Sequence, residues 1–332
     1  MSDYRPLALN IIFRASHSTL WELADKAGIL GSLRLSINSL EFAEHSMVAE
    51  EALFGGAVDF VAGNHITPYK WVAQGKPIVC LASPGNAVQD RIVTHDPISS
   101  LDELKGKTLR IADSSLHDAT GRVGHTRGNH ILDVLRAGFE ENEMEWLDMG
   151  QSTETNFQRD TIEAVRTGKA QIGFGVGRGA SVQGEGLHTL QLPRLPMVNG
   201  TTLTTTYETL QKREGLAERL VKALVLTIHY ARVHPDEAQK FLDTKMGRPY
   251  PERGGRAVSI ARYPMRPYPT TDGVANAYEL CYRQYPETQD VSPFALWDMH
   301  YLRALDLSGF IDELIQEQPE NVREAATVSW EG

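Results

Sequence analysis

Short apolar runs alternate with amphipathic stretches through the first third of the chain. Leu7–Phe13 (Leu-Ala-Leu-Asn-Ile-Ile-Phe) is an almost unbroken apolar run of strand length. It is followed by a stretch in which Leu20, Trp21, Leu23, Ala24 and Ala27 fall on one face of a helix; Ser18 or Thr19 caps its start, and Gly28 and Gly31 end it. The same alternation predicts strands at Arg34–Leu40, Val58–Ala62 and Ile78–Ala82, and helices at Met47–Phe54 and Thr67–Gln74, the latter with Pro68 in its first turn. Strands separated by single helices of this length imply βαβ units and a largely parallel sheet.

A second series begins near Asp96. It predicts strands at Leu109–Ala112, Met144–Met149 and Gln171–Val176, with helices at about Gly128–Ala137 and at Phe157–Thr167. Asn199–Thr206 (Asn-Gly-Thr-Thr-Leu-Thr-Thr-Thr) is polar and β-prone. Beyond it the pattern is helical: Leu216–Val233 has a sustained 3.6-residue period, and Pro235 opens a helix over Asp236–Asp243. Gly273–Tyr285, Pro293–Leu307 and Phe310–Gln316 read as helices too. Arg248–Pro269, rich in Pro, Gly and Arg, reads as a long loop.

Composition narrows the function. At 41% hydrophobic and 23% charged residues, the 332-residue chain has the material of a packed globular protein. Its formal net charge of -10 opposes a phosphate backbone, so nucleic acid is not the expected ligand. No apolar stretch approaches the roughly 20 residues that cross a bilayer. Cys80, in an apolar strand, and Cys281, on a helix, read as free, structural thiols. The first residues carry neither a basic segment nor the apolar core of a signal peptide. The expected location is therefore the cytoplasm, or the periplasm (free or lipid-anchored) if a leader has been removed.

Four segments in fixed order resemble the solute-binding proteins related to the aliphatic-sulfonate, taurine and nitrate receptors, and the thiamine-precursor synthases on the same fold. They are Glu51–Phe60 with its Gly-x-x-Asp turn (Gly56 to Asp59), Ile98–Lys107 (Ile-Ser-Ser-Leu-Asp-Glu-Leu-Lys-Gly-Lys), Ala164–Phe174, and the helix pair of Leu220–Phe241. The resemblance spans about residues 7–245. It implies an α/β protein with the two-lobed type II periplasmic-binding-protein fold, a hinge and a ligand cleft between the lobes. Lobe I would be 1–95 plus 201–332, and lobe II 96–200. The crossings would lie near Ser83–His95 and Asn199–Thr206.

In open α/β sheets ligands bind beyond the carboxyl ends of the strands. Four loops satisfy that condition and supply the candidate residues. The first gives Arg14, Ser16 and His17; the second, Asn64 and His65. The third, Asp113–Asn129, carries Ser114, Ser115, His117, Arg122, His125 and Arg127 between three glycines (Gly121, Gly124, Gly128) that let backbone N–H groups approach a ligand. The fourth gives Gly177 and Arg178, and Thr201 adds a hydroxyl. Arginine's planar fork suits a carboxylate, sulfonate or phosphate, while the competing reading is a set of surface loops with locally paired charges. Phe13, Tyr69, Trp71 and Phe174 flank these loops and line an apolar pocket or belong to the core, the expected place for Trp71. The histidines His17, His65, His117 and His125 lack the spacing of a metal site, and no metal or cofactor is expected. The early loop offers Ser16 and His17 where the desulfinases of this fold place a cysteine, which disfavours that chemistry, and the cysteine motif of the thiamine-precursor synthases is absent.

Two functions follow from the resemblance. One is a cytoplasmic lyase, such as a decarboxylase, in which an arginine clamp fixes the anion and His65 or His125 moves the proton. The other is the receptor of an ABC importer, in which the same clamp binds without chemistry and lobe closure signals to a permease. A small anionic molecule, carboxylate-bearing and with an aromatic ring as one option, is the expected partner under both, with a homo-oligomer open.

Overall fold

The computed structural model describes residues 4–14, 17–43, 46–63, 66–113, 125–149, 157–174, 186–246 and 258–323. In chain order the elements are β1 (Leu7–Phe13), α1 (Thr19–Lys26), α2 (Ile29–Ser32), β2 (Leu35–Phe42), α3 (Ser46–Phe54), β3 (Phe60–Ala62), α4 (Pro68–Ala73), β4 (Ile78–Cys80) and β5 (Gly85–Val88). Next come β6 (Arg91–Thr94), β7 (Leu109–Asp113), α5 (His125–Arg136), β8 (Met144–Asp148), α6 (Phe157–Arg166), β9 (Ile172–Gly173), β10 (His188–Gln191) and β11 (Leu195–Asn199). The chain ends with β12 (Leu203–Thr206), α7 (Tyr207–Lys212), α8 (Leu216–Val233), α9 (Pro235–Met246), α10 (Val258–Arg262), α11 (Thr271–Gln284), α12 (His300–Leu307) and α13 (Phe310–Glu317).

These elements fall into two compact units. Of the described residues, those up to Asn86 and from Met197 onward form the first, and those within Ala87–Pro196 form the second. The first holds a five-stranded sheet in the order β2-β1-β3-β12-β4. β1 runs parallel to β2 and β3, and β12 lies antiparallel between β3 and β4. The second holds its own five-stranded sheet, β10-β6-β9-β7-β8, in which β7 is parallel to β8 and β9 while β6 and β10 run against their neighbours. The segments in which the chain leaves and re-enters the first unit, β5 and β11, form a two-stranded sheet.

The core of the first unit explains its strand and helix pattern. Leu20, Trp21, Leu23 and Ala24 put the apolar face of α1 against the sheet, with the Trp21 ring 4.7 Å from that of Phe60. α8 is buried on more than one side, packing on α1, α10 and α12, which is why its apolar residues exceed a single stripe. Leu9 pairs with Ile37 but Asn10 pairs with Ser39, so Asn38 is the extra residue of a bulge in β2. There the Asn10 side chain accepts hydrogen bonds from Asn38 Nδ2 (2.7 Å) and Ser39 Oγ (3.1 Å) on β2.

The helical tail departs from the sequence expectation twice. Arg248–Pro269 is not loop throughout, because Val258–Arg262 forms α10 and buries Ile260. The helix expected from Pro293 begins only at His300; Pro293 and the turns after it carry the backbone past β4, where Cys80 N donates to Leu296 O (2.7 Å) and Asp298 N donates to Cys80 O (3.0 Å).

Candidate functional site

In the first unit, the carboxyl ends of β1, β2 and β3 meet the start of β12. Arg14 continues the ladder past β1, its N–H donating to Ala62 O (3.1 Å), while its Nη1 donates to Ala43 O (2.6 Å) just beyond β2. A turn then brings His17 N onto Arg14 O (3.0 Å). Thr201 Oγ1 donates to His17 O (3.4 Å), and Gly63 N donates to Thr202 O (3.0 Å). The structure thus gathers three candidate residues, Arg14, His17 and Thr201, at one edge of one sheet. Thr201 is almost fully buried, so its hydroxyl braces the His17 turn. Ser16, Asn64 and His65 lie outside the described residues.

Gly63 is the residue this packing cannot replace. Its φ is +91°, and a Cβ at that position would stand 2.1 Å from His17 Cδ2. Gly63→Ala therefore combines left-handed strain with a clash, and the ring must move. A loss of about 1–3 kcal/mol is expected in urea denaturation, together with a shift of the His17 ring signals in NMR spectra. An unshifted His17 would contradict the geometry.

In the second unit, a chain of mostly buried polar and ionisable side chains runs along α5. Asp113, the last residue of β7, places Oδ2 2.9 Å from Arg127 Nη1 and 2.7 Å from His130 Nδ1. His130 Nε2 is 3.8 Å from Asp90 Oδ2, and Asp90 in turn hydrogen-bonds Asp133. The His130 ring stacks on Phe174 (4.2 Å, 18°), and the Arg127 guanidinium lies 4.0 Å from the Trp146 ring. Burial, followed by the charge of Asp90 and the hydrogen bond to it, pushes the Asp133 carboxyl up to about 8. Asp133 is thus an acid that holds its proton at neutral pH.

Arg127 is therefore a buried, ion-paired side chain of which 6% is exposed. It lies in the first turn of α5. His125 opens α5; its side chain, like Ser114, Ser115, His117, Arg122, Gly177 and Arg178, lies outside the described residues.

Several residues of these clusters escaped sequence reasoning. Asp90 sits between short strands with no motif around it. His130 and Asp133 look like ordinary polar helix residues; the available signal was their spacing with Arg127 and Asn129 at three and four residues, which puts polar groups on one helix face. Glu50, on α3, is wholly buried and accepts hydrogen bonds from Thr67 Oγ1 (2.5 Å) and Trp71 Nε1, tying α3 to α4. Trp71 packs edge-on against Phe54 at 5.1 Å. Both thiols are pushed up to about 12, mainly by burial, and Cys80 Sγ lies 3.0 Å from Thr204 Oγ1. Neither is a nucleophile at neutral pH.

A family model described as NMT1/THI5 like matches residues 36–238, more than half of the 332-residue chain. The chain belongs to the NMT1/THI5-like family. Solved structures extend the likeness over the two units of this NMT1/THI5-like protein. The periplasmic aliphatic sulphonate binding protein SsuA of Escherichia coli is 18% identical, with a TM-score of 0.60 over 87% of this chain and 95% of that one. A putative periplasmic sulfonate-binding SsuA from Methylobacillus flagellatus is 14% identical, with a TM-score of 0.64 over 92% and 97%. The periplasmic nitrate-binding protein NrtA of Synechocystis is 11% identical, with a TM-score of 0.50 over 97% and 89%. At these identities the likeness is one of fold, and the fold is the two-lobed α/β fold of the periplasmic binding proteins. No curated protein matches the sequence. Among the described residues no helix is long and apolar enough to cross a membrane.

Proposed function

We propose that this NMT1/THI5-like protein is the substrate-binding component of an ABC-type importer and captures a small organic anion. The observation that carries this reading is the convergence of Arg14, His17 and Thr201 at the carboxyl edge of the first sheet, on a fold shared with sulfonate- and nitrate-binding proteins. Strand ends and following loops are where such sheets take ligands, and a guanidinium there suits a sulfonate or carboxylate. Arg122 and Arg178 are the cations proposed for the second unit, since Arg127 is held by Asp113, with Ser114, Ser115, His117 and the Gly177 backbone as hydrogen-bonding groups. A permease is the implied partner, and the periplasm, free or lipid-tethered, the implied location.

The lyase alternative, with His65 or His125 as proton carrier, has no counterpart among these solved neighbours, so the receptor takes precedence. Titration calorimetry with methanesulfonate, ethanesulfonate, benzenesulfonate, nitrate and benzoate, followed by mass spectrometry of the recovered probe, separates the two. Micromolar binding with the probe intact is the expected result. A product lighter by carbon dioxide or water would restore the lyase, and no binding by any anion would remove the receptor.

A further inference from the structure

Among the described residues, five large apolar side chains are markedly exposed. Two of them, Phe42 (58%) and Val48 (50%), lie six residues apart, at the carboxyl end of β2 and the start of α3. Phe42 is the register partner of Phe13, the last residue of β1, and the two rings sit 5.7 Å apart at 55°. Phe13 packs against the core of the first unit. The pair is therefore anchored at one ring and open at the other.

An exposed phenylalanine at the end of an edge strand forgoes the gain of burial and invites association, so its position needs a reason. The adjoining residues supply one. Arg14 follows Phe13, and its Nη1 donates to the carbonyl of Ala43, which follows Phe42. A cation and an open aromatic face thus share one corner of the sheet, at the edge where α/β sheets receive ligands. A small inorganic anion would use the cation and leave Phe42 bare. An arene carrying an acidic group would use both.

We propose that the ligand is an aromatic anion whose ring packs on Phe42, with Phe13 behind it, while its charged group faces Arg14. This rests on the receptor reading of the same site. Tilted or offset ring pairs are worth about two- to tenfold in affinity beyond the area they bury.

The test is calorimetry on the full chain with benzenesulfonate, ethanesulfonate and the neutral benzyl alcohol, on wild type, Phe42→Ala and Phe42→Tyr. Benzenesulfonate is expected to bind about tenfold or more tightly than ethanesulfonate. Phe42→Ala should shrink that gap to below about threefold, and Phe42→Tyr should keep it. Equal affinities for the two sulfonates in wild type, or a gap that survives Phe42→Ala, would overturn the aromatic assignment and leave the receptor standing. Binding of benzyl alcohol that Phe42→Ala abolishes, with no binding of either sulfonate, would keep the ring site and remove the anion receptor. No binding by any probe would overturn both. Light scattering completes the set: self-association that vanishes in Phe42→Ala, with no change in probe affinity, would give this face to a second copy of the chain and overturn the proposal.

Discussion

Asp133→Asn is expected to remove most of the fall in stability that the wild-type protein suffers between pH 5 and pH 7, and to leave the variant the more stable of the two at pH 8. The carboxyl of Asp133 stands well above its ordinary value, at about 8, because it is buried beside Asp90. In this range the folded protein holds a proton at Asp133 that the unfolded chain has released. Stability from this group is therefore fully present below the ordinary carboxylate range and is lost as pH rises toward 8. The slope is about 1.4 kcal/mol per pH unit, so from pH 5 to pH 7 the wild type should lose about 2–3 kcal/mol. An asparagine keeps a donor toward Asp90 and has nothing to titrate. The group that faces the pair is His130, 3.8 Å from Asp90, and behind it lies the Asp113–Arg127 ion pair. Asp90→Asn should flatten the profile as well, because it removes the charge that opposes ionisation of Asp133. Urea denaturation across pH, read at Trp146 in the same unit, measures both effects. A flat wild-type profile would refute the shared proton.

Asp59→Ala should cost more, about 3–5 kcal/mol, because it removes the acidic half of a mostly buried ion pair. Oδ1 of Asp59 accepts from Arg213 Nη1, and Oδ2 accepts from the backbone N–H of Asn10 (2.7 Å), opposite the bulge in β2. The backbone of Asp59 is held as well, with Thr205 Oγ1 donating to its carbonyl (2.7 Å). Alanine leaves a guanidinium and a strand N–H without their acceptor. Asp59→Asn keeps an acceptor for Asn10 and loses only the charge, so its loss should be smaller. A double-mutant cycle with Arg213→Ala isolates the pair. A coupling near zero would mean that Arg213 Nη2, which donates to Ala8 O (2.5 Å), holds the arginine unaided.

This pair also shows what the sequence made legible. The Gly-x-x-Asp turn pointed to the family, but its aspartate serves the strand junction, held by Arg213 and the Asn10 N–H. Strands such as Leu7–Phe13 and Ile78–Cys80 were legible because they are flanked by sheet or helix on both sides and read as apolar runs. β5, Gly85–Val88, and β10, His188–Gln191, were not, since short edge or crossing strands keep polar residues that the pattern assigns to loops. α10 was hidden by the Pro, Gly and Arg around it. In the site, Arg14, His17 and Thr201 stood out because each adjoins a strand end. Asp90 and Asp133 did not, because their meaning arises only when residues 43 positions apart share a proton. Phe42 was hidden for a different reason: in an apolar pattern an exposed phenylalanine looks like a buried one.

The threading of the first sheet sets an order on synthesis. β12 lies between β3 and β4, yet it is made only after the whole of Ala87–Pro196 has emerged. Until then β3 and β4 have a missing neighbour, and α8, the most buried helix of that core, does not exist. The second unit has no such wait, since all five of its strands lie in one continuous stretch. On the ribosome it should be the first to reach its native packing, while the segment that preceded it stays a holdase client, with Phe60, Val61 and Val79 uncovered, until the chain as far as Val233 completes the sheet and its central helix.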